Sequence, residues 1–171
     1  MSSRLQDLDS QLSSRVRVTE EPGLQRTLAV VLAHSGDSWF WIPALGIVYL
    51  IGNPDWKERA LAMLIGVLIT AVVVTAVKFT IRRQRPEGEW GGVYRKADPH
   101  SFPSGHAARG ACLMTLAIGM GPAWFALALL VWAPLMALSR VRMGLHYVSD
   151  ILGGMLFGIV IAILVLRFYV G

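Results

Sequence analysis

The sequence has little charge and a single cysteine. Charged residues make up 16% of its 171 residues, whereas 54% are hydrophobic. Cys112 lies in an apolar run and has no second cysteine to pair with, so we expect it to fill the core. Residues 1–22 are mostly polar and contain no compact apolar core, so no signal peptide is expected. We find no repeat, low-complexity tract or soluble domain, which favours one domain over residues 1–171.

Apolar residues are arranged in long blocks rather than in an amphipathic rhythm. Ala60–Val77, Gly110–Leu138 and Ile151–Leu166 contain no charged residue. Eighteen helical residues rise 1.5 Å each and so nearly cross a hydrocarbon core of roughly 30 Å. The net charge is +5, and the basic residues cluster beside these blocks. We therefore predict an integral membrane protein whose partners are the lipid bilayer and a phosphate group, not nucleic acid.

The predicted fold is an all-α integral membrane protein, a bundle of about five transmembrane helices with an N-terminal amphipathic interfacial helix. In the N-terminal helix, Leu5, Leu8, Leu12 and Val16 recur at helical spacing among polar residues. The first span joins the short apolar piece Leu28–Ala33 to the segment that follows it. The predicted bounds are 4–18 for the interfacial helix and 28–52, 57–81, 104–119, 123–143 and 146–170 for the spans.

This topology brings distant polar residues to one face of the membrane. The ends of the second and fourth spans and the starts of the third and fifth lie on the same side. Charged side chains beside the apolar zone cost roughly 2.5–3.5 kcal/mol each and usually mark function. The residues expected to converge are Lys78, Arg85, His106, Arg140, His146 and Asp150. Interfacial anchoring alone explains such convergence poorly, although it is the alternative for each residue taken singly.

The basic members of this group suit a phosphoryl group. Lys78, Arg85 and Arg140 supply the several donors that a phosphate dianion needs. The backbone amides of Ser104 and Gly105 begin the third span and would add donors at a positive helix end. The pattern therefore predicts a phosphate-binding pocket.

The histidines suit phosphoryl transfer. His146 and Asp150 lie one helical turn apart, so the carboxylate can orient the imidazole for nucleophilic attack. His106 can then protonate the leaving oxygen, because imidazole titrates near neutral pH. Asp150 is the only carboxylate expected near the pocket, so no metal and no cofactor is expected.

Three motifs carry a resemblance to a known family. Lys78–Pro86 fits K-x6-R-P, Pro103–His106 fits P-S-G-H, and Ser139–Asp150 fits S-R-x5-H-x3-D. The sequence resembles the type 2 phosphatidic acid phosphatase superfamily of membrane lipid phosphatases, which are related to vanadium haloperoxidases. The resemblance implies a phosphohistidine on His146. It further implies orientation by Asp150, acid catalysis by His106, and phosphate contacts from Lys78, Arg85, Arg140, Ser104 and Gly105.

The resemblance implies an enzyme that hydrolyses a lipid phosphate or diphosphate without a metal. Candidate substrates are phosphatidylglycerophosphate, phosphatidate and a polyprenyl diphosphate such as undecaprenyl diphosphate. The alternatives are a vanadate-dependent haloperoxidase-like enzyme and a non-catalytic transporter or scaffold with a relict site. We expect a bacterial inner membrane location. Basic residues favour a cytoplasmic pocket, whereas many resembling enzymes act on the outer face, so the side and the oligomeric state stay open.

Five further polar residues have less specific interpretations. Asp37 is interpreted as a helix-capping or interfacial carboxylate. Arg83 is interpreted as a solvated residue that sets topology or draws anionic lipid. Arg109 can reach the phosphate or extend to the membrane surface. His34 and His100 are interpreted as polar or solvated residues without a catalytic partner.

Overall fold

The protein is all-helical, as predicted. A computed structural model describes residues 3–18, 23–87 and 98–170. Among these residues, the only β-type pairing is an isolated antiparallel bridge between Gln84 and His100. The seven helices of the described residues are α1 (Ser3–Arg15), α2 (Leu24–His34), α3 (Ser38–Ile51), α4 (Pro54–Ile81), α5 (Gly105–Met120), α6 (Ala123–Arg142) and α7 (Val148–Val170).

Three of the described helices are long and apolar enough to cross a membrane. They are α4, α6 and α7, whose candidate membrane-spanning segments are 28, 20 and 22 residues long. The other two predicted spans correspond to α3, a shorter apolar helix of 14 residues, and α5, which has 16 residues. Many large apolar side chains of α4, α6 and α7 face outward, as lipid contact requires. The chain is therefore an integral membrane protein.

The prediction of one continuous span over residues 28–52 is wrong, because the chain breaks between α2 and α3. The Asp37 amide donates to the His34 carbonyl at 3.0 Å, which closes a turn. The Asp37 carboxylate also accepts hydrogen bonds from the side chains of His34 and Trp39, each at 2.9 Å. Gly36 lies against Met136 of α6. These local contacts replace the helical hydrogen bonds that an uninterrupted span would need.

Helix α1 is amphipathic, and its apolar side faces outward. Leu8 and Leu12 are more than half exposed, whereas Asp9 and Ser13 are buried against the rest of the protein. An outward apolar stripe suits a helix lying in the membrane interface. Its polar side is therefore the side that contacts the bundle.

Helix α5 lies at the centre of the bundle, packed most extensively on α7 and also on α6 and α4. The contact with α7 depends on small residues, because Gly154 and Gly158 face the backbone of α5. A Cβ at Gly158 would clash with the Ala108 carbonyl oxygen and lie 2.9 Å from the Cys112 nitrogen. This close approach holds the starts of α5 and α7 in a defined relation.

We predict that Gly158→Ala destabilises the protein by about 1–3 kcal/mol, because the new methyl group meets backbone rather than a movable side chain. The measurement is the midpoint of thermal unfolding in detergent. Gly46→Ala in α3 is the matched control, since no atom lies within 4 Å of its added Cβ. Equal midpoints for the two variants would contradict the packing argument.

Candidate active site

One end of the bundle contains a cavity of about 470 Å³ where the predicted residues meet. The end of α4, the start of α5, the end of α6 and the turn before α7 form its walls. The predicted residues that line it are Lys78, Arg85, Gly105, His106, Arg140 and His146. Ser104 and Asp150 do not line it and are fully buried behind the wall. The structure thus brings together residues separated by about seventy positions.

His146 lies in the turn between α6 and α7. Gly144 adopts a φ of 66°, which is costly for other residues, and the Leu145 amide donates to the Arg140 carbonyl at 3.0 Å. Nη1 of Arg85 lies 3.1 Å from Nε2 of His146. A guanidinium can only donate, so Nε2 accepts and the ring proton resides on Nδ1. The turn therefore presents an unprotonated Nε2 to the cations.

Charge and burial keep His146 neutral. Burial, followed by the positive charges of Arg85, Arg140 and Lys78, lowers the pKa of His146 well below its ordinary value. A neutral imidazole retains the lone pair that a nucleophile needs. The site therefore favours the reactive form of this side chain at neutral pH.

Asp150 lies beside His146, although α7 begins at Val148 rather than at residue 146. Its Oδ2 lies 3.5 Å from Nδ1 of His146. The same oxygen accepts the Tyr147 amide at 2.9 Å, and Oδ1 accepts Arg83 at 2.7 Å. Nδ1 forms no hydrogen bond with any described residue. The predicted carboxylate–imidazole pair thus exists as a close approach of two fully buried groups.

A second carboxylate, Asp98, contacts two of the predicted phosphate-binding cations. Its Oδ2 contacts Nζ of Lys78 and lies 2.8 Å from Nη2 of Arg85. Burial alone would raise the pKa of Asp98, but the hydrogen bond from Lys78 and the charges of Lys78 and Arg85 hold it below its ordinary value. The expectation that Asp150 is the only carboxylate near the pocket is wrong. Asp98 lies in a loop outside the three motifs, so no sequence pattern pointed to it.

A third carboxylate, Asp37, pairs with His106. Its Oδ1 lies 2.6 Å from Nε2 of His106. Asp37 occupies the N-cap position of α3 but forms no side-chain capping bond there, so the capping interpretation is wrong. Burial alone would raise its pKa, but hydrogen bonds from His106, His34 and Trp39 lower it below the ordinary value. His106 thus has an ionised carboxylate as its partner, and His146 has the Asp150 carboxyl group beside it.

The two backbone amides predicted to bind phosphate differ in their surroundings. The Ser104 amide donates to the Asp150 carbonyl at 3.0 Å, so it is turned away from the cavity. The Ser104 hydroxyl caps α5 by accepting the Ala107 amide at 3.4 Å. Gly105 lines the cavity. Ser104 therefore ties the start of α5 to the start of α7, because a helix N-terminus must satisfy its free amides.

Two further arginines lie close to the site. Arg83 contacts Asp150 and is only 18% exposed, so the solvated interpretation is wrong. The reason is that the chain leaves α4 through Arg82, which adopts a left-handed conformation with φ of 53° and ends the helix. Arg109 lines the cavity and donates to the Gly36 carbonyl. Its side chain therefore turns toward the site rather than toward the membrane surface.

Comparisons with known proteins show the family of this chain. A model of the PAP2 superfamily matches residues 59–171, more than half of the chain. A decaprenylphosphoryl-5-phosphoribose phosphatase from Mycobacterium tuberculosis is 30% identical, over 86% of this chain and 82% of the relative. A probable lipid phosphate phosphatase beta from Arabidopsis thaliana is 28% identical, over 94% of this chain and 88% of the relative.

A solved structure has the same fold. The crystal structure of a transmembrane PAP2 type phosphatidylglycerolphosphate phosphatase from Bacillus subtilis superposes with a TM-score of 0.80 at 25% identity. The superposition covers 98% of this chain and 87% of that chain. The three sequence motifs, the arrangement of the helices and the matches over most of the chain all indicate the same family. The chain belongs to the PAP2 superfamily, as an integral membrane phosphatase.

Proposed function

We propose that this phosphatase hydrolyses the phosphate or diphosphate group of a membrane lipid. The supporting observation is the set of three buried cations around the unprotonated Nε2 of His146. A phosphoryl group placed there meets a nucleophile and several positive donors at once. The α4 wall of the same cavity includes the apolar side chains of Ala71 and Val74, and Phe79, which also lines it, is more than half exposed. That wall suits the hydrocarbon part of a lipid.

The first step is attack of His146 Nε2 on phosphorus. The new P–N bond replaces the P–O bond to the lipid, and His106 gives a proton to the leaving oxygen. Asp37 accepts a hydrogen bond from Nε2–H of His106, so Nδ1 of the doubly protonated ring is the nitrogen that supplies this proton. Arg85 must exchange its contact with His146 for a phosphoryl oxygen, because Nε2 becomes bonded. The charge on the transferring group is stabilised by Lys78, Arg85, Arg140 and the Gly105 amide.

The second step is hydrolysis of the phosphohistidine. Water attacks phosphorus from the side that the lipid oxygen has left, and His106 accepts its proton. The P–N bond breaks and inorganic phosphate is released. Asp150 holds the His146 ring and stabilises its positive charge while phosphorus is attached. No step requires a metal.

The substrates named for the relatives suggest which lipids to test first. The Bacillus subtilis structure is a phosphatidylglycerolphosphate phosphatase, and the Mycobacterium tuberculosis relative acts on a decaprenyl-linked phosphate. Both groups are phosphomonoesters attached to a membrane lipid. We propose phosphatidylglycerophosphate and polyprenyl-linked phosphates as the first candidates, in a bacterial inner membrane. Phosphatidate and undecaprenyl diphosphate complete the panel.

We expect phosphate release from at least one of these lipids in detergent with EDTA, and its loss in His146→Ala. The expected fall is at least about 10⁴-fold, because removal of a covalent nucleophile leaves only binding effects. Asp55→Asn, on the opposite face of the membrane, is the control. Release by His146→Ala at the control rate would exclude His146 as the nucleophile, and loss of activity with EDTA would exclude the metal-free route.

The role of His106 predicts a dependence on the leaving group. His106→Ala should lower turnover of an alkyl phosphate lipid by about 10²–10⁴-fold, the usual contribution of a general acid. An aryl phosphate such as p-nitrophenyl phosphate leaves without protonation, so its turnover should fall much less. The measurement is the ratio of kcat/KM values for the two substrates in variant and wild type, because kcat/KM does not include the later hydrolysis of the phosphohistidine, in which His106 also acts. Equal losses on both substrates would contradict general acid catalysis by His106.

The position of Asp98 predicts competition with phosphate. Asp98→Asn should lower the inhibition constant of inorganic phosphate by about two- to fivefold, because the neutral amide competes less for Lys78 and Arg85. The effect is small, since the Asp98 side chain is 41% exposed and ion pairs of this kind are partly screened. Asp55→Asn is again the control. An unchanged or raised inhibition constant would show that phosphate does not displace Asp98.

A further inference from the structure

We propose that α1 is a positioning element of the active site, and that Asp9, Ser13 and Arg83 together fix the turn carrying His146 and Asp150. This inference rests on the catalytic roles proposed above for His146 and Asp150. None of the three residues lines the 470 Å³ cavity. They act on the nucleophile through its carboxylate partner and not through the substrate.

The first support is that α1 contacts the bundle through polar groups. Asp9 and Ser13 are each 7% exposed, whereas Leu8 and Leu12 of the same helix face outward. Helices usually bury their apolar side and expose their polar side. Burial of a carboxylate is costly unless it is paired and hydrogen-bonded. Asp9 therefore has a specific set of partners, and they lie at the start of α7.

The second support is the set of hydrogen bonds that the first backbone amides of α7 form. A helix begins with amides that have no partner within the helix. The Val148 amide donates to Ser13 Oγ at 3.0 Å, and the Ser149 amide donates to Asp9 Oδ1 at 3.1 Å. Asp150 satisfies only the amide of Tyr147. Two of the three amides are thus capped by a helix more than 130 residues away in sequence.

The third support is the bridge that Arg83 forms between two carboxylates. Its Nη2 lies 2.6 Å from Asp9 Oδ2, and its Nη1 lies 2.7 Å from Asp150 Oδ1. The guanidinium also stacks over Tyr147, with Cζ 4.1 Å from the ring centre. A planar guanidinium has donors in a fixed fork, so two simultaneous partners define its position. Asp9 therefore helps to determine where Arg83 holds Asp150.

The consequence for catalysis comes from the distance between Asp150 and His146. Oδ2 of Asp150 lies 3.5 Å from Nδ1 of His146, at the limit of a hydrogen bond. A small rotation of the Asp150 side chain therefore decides whether it hydrogen-bonds to His146 and orients the imidazole for attack. If Asp9 is neutralised, Arg83 loses the charge of one of its two partners and can rotate toward Asp150. Misplacement of a reacting group by about 1 Å can cost on the order of 100-fold in rate.

The test compares three variants, Asp9→Asn, Ser13→Ala and Arg83→Gln, in the full chain. The control is Asp7→Asn, because Asp7 lies on the exposed side of α1. The measurements are kcat on the lipid that the wild type hydrolyses best, the inhibition constant of inorganic phosphate, and the thermal midpoint. We expect kcat to fall about 10- to 100-fold for Asp9→Asn and Arg83→Gln. The inhibition constant should stay within about twofold, since the phosphate contacts are untouched.

Two further variants separate positioning from general stability. Ser13→Thr should restore the kcat that Ser13→Ala loses, because the threonine hydroxyl can accept the same amide. The double variant Asp9→Asn/Arg83→Gln should lose no more than the worse single variant, since both changes break one network. If Asp9→Asn fails to fold, the Ser13→Ala and Ser13→Thr pair supplies the test.

The outcomes that overturn the inference are distinct from failure of the proposed function. A kcat equal to that of Asp7→Asn in all three variants would overturn it. A parallel change in kcat, inhibition constant and thermal midpoint would also overturn it, since it would indicate a structural role alone. If His146→Ala remained fully active, the proposed function itself would fail. An inactive His146→Ala beside fully active α1 variants would refute the positioning role only.

Discussion

The structure depends on how three positive charges are kept side by side in a membrane protein. Lys78, Arg85 and Arg140 are at most 7% exposed and line one cavity. Like charges at close range repel strongly where water is scarce, so each must be balanced nearby. Asp98 provides that balance for Lys78 and Arg85. A cavity with this excess of positive charge can exchange the Asp98 carboxylate for the phosphate group of a bound ligand.

The same charges influence the protonation state of His146. Burial and these charges together keep His146 neutral, and the guanidinium of Arg85 fixes which ring nitrogen carries the proton. The two histidines of the site have similar surroundings, because each lies beside an aspartate of its own. Asp150 lies beside His146, and Asp37 pairs with His106. One histidine can thus act as nucleophile and the other as acid without sharing a carboxylate.

Helix packing supplies the rigidity that this arrangement needs. Glycines of α7 allow its backbone to approach α5, and the Ser104 amide bonds to the Asp150 carbonyl where the two helices begin. Arg83 and α1 hold the same region from the other side. The turn that carries His146 is therefore held by contacts from α5 within the bundle and from α1, although it lies between two helices.

The sequence by itself determined the class of fold, the family, and the lysine, two of the arginines and both histidines that line the cavity. Uncharged blocks of membrane length predicted the long helices, and the spacing of three motifs predicted the cations and both histidines. These signals are local, so they can be read without coordinates. Tertiary structure alone decided that the first predicted span breaks at Asp37, that the Ser104 amide turns away from the cavity, and that Asp98 and Arg83 belong to the site. The Ser104 amide, Asp98 and Arg83 each depend on a partner from a distant helix or loop, and Asp37 adds His106 to its local partners. Folding alone brings such partners together, so no spacing in the sequence indicates them.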